Sequence, residues 1–586
     1  MSGSLPPPLV ILLGAMLIPI FPAGRLRSLY MLALPVLSAV VLYSWPTAGE
    51  GAAGWQLEIF GQQLELMRYD SLSKPFTILF HIGALVGIVY ALHLRDRMEQ
   101  TASVLYVGSA LGAVLAGDLI TLFVFWELLA ISSVFLIWAR RTSHSYTVGM
   151  RYLAAQITSG LLLLSGILMH VHAGGSVSFE SLIGEGGANT GLFSVDGGLR
   201  SMGLPHLLIF LGIGFKCAFP GLHNWLVDGY PEGTPTGSVF LSGFTTKVAV
   251  CVMARCFAGT EDLVVIGTIM ACFPIFYAVI ENDLRRVLGY SMINQIGFMM
   301  VGIGIGTDMG IDGAIAHAFN DVFFKGLLFM TMGAVLLRTG TVNGSDLGGL
   351  HKSMPYTTGF CCIGAASISA FPLFSGFVSK SLIMTAAAAE HYDVTWCLLL
   401  FAAAGVFHHA GIKIPFFAFF AHDSGRRVPE APRNMLIAMG LAAGLCIFNG
   451  CFPSYLYSLL PYQGAGYVPY TAMHIITQLQ LLFFSALAFA SLMLTGLYPP
   501  ELRSVNLDFD WFFRKGGRVG MALVVGPLAA VGNGILTLVL ERVPSLVANT
   551  TWRRQFRLGL QSSFVETAVL VVMLLLLSFL LFNYLG

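Results

Sequence analysis

Run after run of this chain is apolar for about twenty residues, the length of helix that crosses the hydrocarbon core of a bilayer. No water is available there to satisfy a bare peptide group, so such runs fold as helices. Sixteen are expected, near residues 7–23, 27–45, 76–95, 102–117, 119–139, 148–171, 203–222, 236–257, 262–281, 286–305, 311–337, 356–387, 394–420, 433–452, 470–498 and 563–584. Of the 586 residues, 56% are hydrophobic and only 10% charged, against about 25% charged in soluble domains. The expected fold class is an all-α polytopic membrane protein with about 14–16 transmembrane helices.

Several of these runs carry a charge: Glu127, Lys216, Lys247, the set His317, Asp321 and Lys325, and Lys380. A charge at the bilayer centre costs ~2.5–3.5 kcal/mol on insertion scales, so such residues face a bundle interior or a water-filled path. A series of them in one chain points to ions or protons crossing the membrane.

Loop charges alternate along the sequence. Arg25/Arg27, Arg95/Arg97, Arg140/Arg141, Arg285/Arg286, Arg338/Lys352, Arg426/Arg427 and Arg514/Lys515/Arg518 fall on one side; the acidic or neutral loops 50–65, 180–196, 261–262 and 390–393 fall on the other. The positive-inside rule makes the basic loops cytoplasmic and places the N-terminus outside. The first run, 9–22, has no basic flank before it and no small-residue cleavage site after it, which favours a membrane helix over a signal peptide. Were 519–540 to span, Arg553, Arg554 and Arg557 would lie outside and break the alternation. A lateral helix near 518–545, lying along the interface and followed by one final span, is expected instead.

Nine cysteines are scattered through apolar segments with no CxxC pair, so neither a metal site nor an iron–sulfur cluster is expected. No glycine-rich fingerprint follows a strand, so no cofactor is expected. The net charge of +1 gives no argument for nucleic-acid binding.

The stretch GDLITLFVFWELLAISSVFLIW sets Glu127 mid-helix after Trp126, and GIGFKCAFPGLHNWLVDGYPEGTPTGS joins Lys216 to a proline, a histidine and a Thr-Pro-Thr turn. NDLRRVLGYSMINQIGFM, HAFNDVFFKGLLF, SDLGGLHKSMP and ASISAFPLFSGFVSK follow. In order and spacing these motifs, across residues 68–385, resemble the antiporter-like subunits shared by respiratory complex I and the multisubunit Mrp cation/proton antiporters. Within that group HHAGIKIPFFAFFAHDSG and the Val-Ala-Val after Lys247 resemble the D-type component of the Mrp complexes.

The resemblance implies two inverted five-helix repeats, each with one helix broken in mid-membrane. Two interruptions fit: Pro220 and Gly221 follow Lys216, and Pro372, Ser375 and Gly376 precede Lys380. Proline inside a helix removes a hydrogen bond and clashes with the preceding turn. Paired interruptions in two halves of a transporter point to its ion path. The expected organisation is N-terminal helices at 1–101, a first repeat at 102–257, a second at 262–421, and C-terminal helices at 422–586.

The resemblance also implies roles. Glu127 and Lys216 would be a coupled pair, Lys247 a relay between half-channels, and Lys380 the terminus of the path. His317, Asp321 and Lys325 recur every fourth residue and form one stripe on a helix. The family commonly has a second histidine where this chain has Asp321, which makes a cation site or an Asp–Lys pair an alternative to a two-histidine relay. His223 and Asp228 would stand near proton entry or stabilise a loop, Arg151 would pair with a neighbouring subunit, and His408, His409 and Lys413 would belong to the exit side. Asp70 and Asp118 are expected to be helix-start carboxylates.

Two functions follow as expectations. One is a non-enzymatic subunit of an Mrp-type Na⁺/H⁺ antiporter in a bacterial inner membrane, with other membrane subunits as partners. The alternative is a proton-pumping subunit of a complex I-like NADH:quinone oxidoreductase or of an inorganic-carbon uptake complex.

Overall fold

The computed structural model describes residues 5–44, 56–59, 62–179, 202–499 and most of 501–523. The chain divides into two units, 1–508 and 509–586. The first contains α1 (Pro7–Leu17), α2 (Arg25–Tyr43), a hairpin of β1 (Gln56–Ile59) and β2 (Gln62–Glu65), α3 (Ser73–Ala91), α4 (Arg97–Leu115), α5 (Leu119–Trp138) and α6 (Ser143–His172). It continues with α7 (Leu204–Lys216), α8 (Asn224–Glu232), α9 (Gly237–Gly243), α10 (Thr245–Phe257), α11 (Glu261–Ile280), α12 (Leu284–Ile305) and α13 (Asp308–Thr339). Then follow α14 (Pro355–Ile368), α15 (Ser375–Ala389), α16 (Asp393–Val406), α17 (Arg433–Cys451), α18 (Pro453–Tyr457) and α19 (Ala472–Leu494).

Among the described residues eleven rods are long and apolar enough to cross a membrane, counting α9–α10 and the 393–420 rod once each. The helices α1 and α4 and the interrupted rods α7–α8 and α14–α15 complete the fifteen spans expected before residue 500. Polar residues in the first turn of α4, Arg97, Glu99 and Gln100, lower its hydrophobicity, and neighbouring helices surround it so that most of its residues are buried. The antiparallel hairpin β1–β2, in the 50–65 loop, departs from the all-helical expectation.

The two halves repeat each other with inverted direction. Asp118 caps α5 by accepting from the Thr121 amide at 2.7 Å, and Asp283 caps α12 by accepting from the Arg285 amide at 2.8 Å. Each cap residue also forms an isolated antiparallel bridge just after the next helix, Asp118 to Ser178 and Asp283 to Asn343. Asp118 lies at the end of the bundle that holds the acidic loops; Asp283 lies at the end that holds Arg285 and Arg286.

Both broken rods fail at the same tripeptide. Ala218-Phe219-Pro220 follows α7 and Ala370-Phe371-Pro372 follows α14. The alanines take left-handed φ values of 60° and 58°. In each case the Phe amide reaches back five residues, to Gly214 at 3.1 Å and Ala366 at 3.0 Å, which is the Schellman ending usually supplied by glycine. The spans 203–222 and 356–387 are therefore two-part rods, broken at the paired proline interruptions expected there. The span at 236–257 is also interrupted, at Phe244, and the 393–420 rod widens to π-helical turns at Phe407–Lys413 and Phe416–Phe420.

In the second unit, the described residues around Phe512–Gly516 are helical, and Arg514 pairs with Asp510 one turn earlier. The proposed lateral helix near 518–545 lies mostly outside the described residues, and the final span at 563–584 lies wholly outside them.

Candidate functional site: a buried row of ionisable groups

Each of the seven residues singled out from the long apolar runs sits inside the bundle. Lys216, Lys247, His317, Asp321 and Lys325 are wholly buried, Lys380 is buried, and Glu127 is half-buried with its Oε1 enclosed.

At the first break, Lys216 is the last residue of α7. Its Nζ donates to the Trp126 carbonyl at 2.6 Å and lies 4.3 Å from the centre of the Trp126 ring. A cation at a helix C-terminus is favoured by the carbonyls that end there. Trp126 is fixed in turn, its indole N–H donating to Ser159 Oγ at 3.1 Å. Glu127 does not form an ion pair with Lys216: its Oε1 has no hydrogen-bond partner and lies against α6 in the space a side chain at Gly160 would need. The ammonium is held by Trp126, and no direct ion pair joins it to the Glu127 carboxylate.

Lys247 follows the interruption at Phe244. Its Nζ lies 2.5 Å from Asp321 Oδ2 and donates to the Ser242 carbonyl at 3.2 Å, one of the carbonyls the broken rod leaves free. Of the two alternatives for Asp321, the structure has the Asp–Lys pair, and its partner comes from α10 rather than from Lys325. On the same helix as Asp321, Lys325 donates to Ser291 Oγ at 2.8 Å. His317 Nε2 donates to Gln295 Oε1 at 3.0 Å, because the Gln295 amide nitrogen is already committed to Asn294; His317 Nδ1 meets the Ser379 hydroxyl at 2.9 Å.

Ser379 leads to Lys380. The Lys380 Nζ reaches across the second break and donates to the carbonyl of Ile368 at 2.8 Å, lying 5.2 Å from the Phe298 ring. Ile368 stands two residues before Ala370, as Lys216 stands two before Ala218. Each break therefore has a lysine at the C-terminal end of its first half-helix, Lys216 as the last residue of α7 and Lys380 through its bond to the last residue of α14. Lys380 also lines a cavity of about 660 Å³ that continues past Ser381, Thr385 and His474 to Trp396, near the acidic 390–393 loop.

The row holds four lysines against two carboxylates. Keeping every proton at once would leave uncompensated charge in the interior, at several kcal/mol per ion. The arrangement suits groups that take a proton and give it up.

Lys413, expected on the exit side, is held by backbone carbonyls and a carboxylate. It lies at the basic-loop end, donating to the carbonyls of Val279 at 2.6 Å and Glu281 at 2.7 Å and pairing with Glu501 at 2.9 Å. The reason is direction: the rod begins at Asp393 by the acidic loops and ends by Arg426, so residue 413 is near its far end. His408 stacks on Tyr498 with ring centres 5.6 Å apart, and His409 is wholly buried with neither ring nitrogen bonded. Arg151 pairs within the chain, 3.5 Å from Asp228, which also lies 3.4 Å from Arg286. His223 contacts Asp508 at 3.2 Å. Asp118 caps α5 as expected, and Asp70 accepts from the Ser73 amide at 2.8 Å and from Arg255 at 2.7 and 3.0 Å.

Residues 116–407, which include every member of the row, match the family described as NADH:quinone oxidoreductase/Mrp antiporter, TM. The chain belongs to this antiporter-like family. Hydrogenase-4 component B of Escherichia coli is 26% identical over 434 residues, covering 67% of this chain and 63% of that protein. The A-type component of the Na(+)/H(+) antiporter of Alkalihalophilus pseudofirmus is 30% identical over 431 residues, covering 66% of this chain and 52% of its own length. The matches thus cover between about half and just under two thirds of these relatives. A chain of the solved Mrp complex from Dietzia sp. DQ12-45-1b has the same fold, with a TM-score of 0.67 and 19% identity over 81% of this chain and 97% of that one.

Sequence reasoning missed Trp126, Ser291, Gln295, Glu501 and Asp508. The repeated Ala-Phe-Pro was available to it as a signal of two equivalent breaks. Glu501 and Asp508 had no signal, because they lie beyond the last apolar run of the bundle and look like ordinary loop carboxylates.

Proposed function

We propose that this chain is the proton-conducting, antiporter-like subunit of an Mrp-type multisubunit antiporter in a bacterial inner membrane. It exchanges protons against a monovalent cation, Na⁺ in the first instance, together with other membrane subunits. The basic loops face the cytoplasm and the N-terminus lies outside. Its two half-channels correspond to 102–257 and 262–421.

The observation that carries this reading is the Lys247–Asp321 pair at 2.5 Å, which joins the two halves at the middle of a buried titratable row. Protons enter near His223 and Asp228, pass Lys216 and Glu127, cross at Lys247 and Asp321, and leave from Lys380 through the cavity beside it. Lys325 and His317 line the second half of that route. The membrane potential adds or opposes ~2.3 kcal/mol per charge per 100 mV, so each site must hold its proton weakly enough to release it.

The test is proton movement in proteoliposomes of the copurified complex under imposed Na⁺, K⁺ and Li⁺ gradients. Exchange that follows Na⁺ supports the reading. A second reading, a redox-driven pump, is favoured by the relative named as a hydrogenase component. Copurifying subunits with cysteine-ligated clusters, and no cation dependence, would decide for it.

A further inference from the structure

After α19 the described residues 501–503 and 506–508 lie along the basic-loop end of the bundle as a strap. Each of its described polar side chains is bonded there. Glu501 meets Lys413 at 2.9 Å, Arg503 meets Asp346 at 2.7 Å, and Asn506 donates to Glu281 at 3.2 Å. The strap also lines a cavity of about 330 Å³ through Arg503 and Asn506, with Glu281, Asp283 and Arg286 opposite.

Two residues past Asn506, Asp508 turns inward and is buried. Its Oδ2 accepts from the Tyr290 hydroxyl at 2.8 Å, and its two oxygens lie 3.2 and 3.3 Å from His223 Nε2. His223 is 2% exposed, and its other nitrogen, Nδ1, is buried without a partner. That nitrogen belongs to the loop that begins at Lys216, and the Trp225 indole N–H donates to the Phe215 carbonyl at 2.9 Å, holding the two sides of the break together. Around the trio, Arg286 pairs with Asp228 at 3.4 Å and Glu281 at 3.2 Å, Arg151 pairs with Asp228, Tyr277 stacks on Tyr290, and Phe273 packs on His223.

We propose that Asp508 is the proton-collecting carboxylate of the first half-channel and passes its proton to His223. The proposal rests on the proton-conducting reading above and extends it to a residue outside the two repeats. Asp508 takes a proton from the basic-loop end of the bundle and gives it to His223 Nε2, while His223 Nδ1 releases its own proton inward, toward Lys216. The imidazole changes tautomer, nothing is oxidised or reduced, and one proton advances. Tyr290 is a positioning residue that holds the carboxylate against the ring.

Asp508→Asn keeps the shape and cannot carry a proton. In vesicles holding the assembled complex it should slow cation-driven proton exchange about tenfold or more, with Asp508→Glu restoring most of the rate. Tyr290→Phe should shift the pH profile while leaving the limiting rate near wild type. A rate and pH profile unchanged in Asp508→Asn would overturn the proposal. A second readout separates this from the function reading: in infrared pH-difference spectra of the purified complex, a carboxyl band should be present in wild type and missing in Asp508→Asn. Its presence upholds the site even where wild type moves no cation, an outcome that would reject the antiporter reading alone; identical spectra reject the site.

Discussion

Lys247 and Asp321 hold their charged groups 2.5 Å apart with both side chains wholly buried, one on α10 and the other on α13. Each is the other's counter-charge where the two halves of the bundle meet. Removing one partner leaves the other charge uncompensated, so Asp321→Asn should cost about 3–5 kcal/mol and stop exchange. Replacing both, Lys247→Met with Asp321→Leu, should recover stability but not exchange. Thermal unfolding in detergent and transport in vesicles check the two halves of this statement. Normal transport by the double variant would remove the pair from the path.

The position of Glu127 depends on a missing side chain. A Cβ at Gly160 would fall on its carboxylate oxygen, so Gly160→Ala must push the carboxylate away. Misplacing a reacting group by about 1 Å can cost a hundredfold, and a loss of that order in exchange rate is expected with little change in unfolding temperature. An unaltered rate would mean that the carboxylate's position does not limit transport.

Asp70 provides a structural contrast. Burial pushes its carboxyl up, but the Arg255 guanidinium, with two hydrogen bonds and with Arg68 beside it, outweighs that and holds it well below the usual carboxylate range. A carboxylate lowered in the folded state stabilises above its unfolded value, ~3.9, and that stability is lost as pH falls through the folded value. Asp70→Asn should therefore destabilise by about 3 kcal/mol at neutral pH and less in acid. Exchange per folded molecule should stay near wild type; a specific loss of exchange would give Asp70 a part in transport.

How much of this was legible in the sequence depends on how far apart the interacting residues lie. The spans were legible because their length and apolarity are local, and the breaks because proline acts on its own turn. Asp321 and Lys247 are 74 positions apart, so the stripe on α13 showed only that Asp321 faced the same way as Lys325, not which lysine it would meet. The π-helical turns that carry His408 to Lys413 leave no compositional trace. The Lys216 ammonium is taken by the carbonyl and ring of Trp126 without a direct ion pair to Glu127, a competition that reading two opposite charges could not anticipate.

Conduction as proposed needs groups in the bundle interior that bind and release a proton. This requirement is tested most directly by cation-dependent proton exchange in vesicles containing Glu127→Ala, Lys216→Ala or Lys216→Arg at matched expression. All three should abolish exchange, the arginine variant because a guanidinium keeps its proton throughout this range. Wild-type exchange in the Glu127 and Lys216 variants would contradict the account.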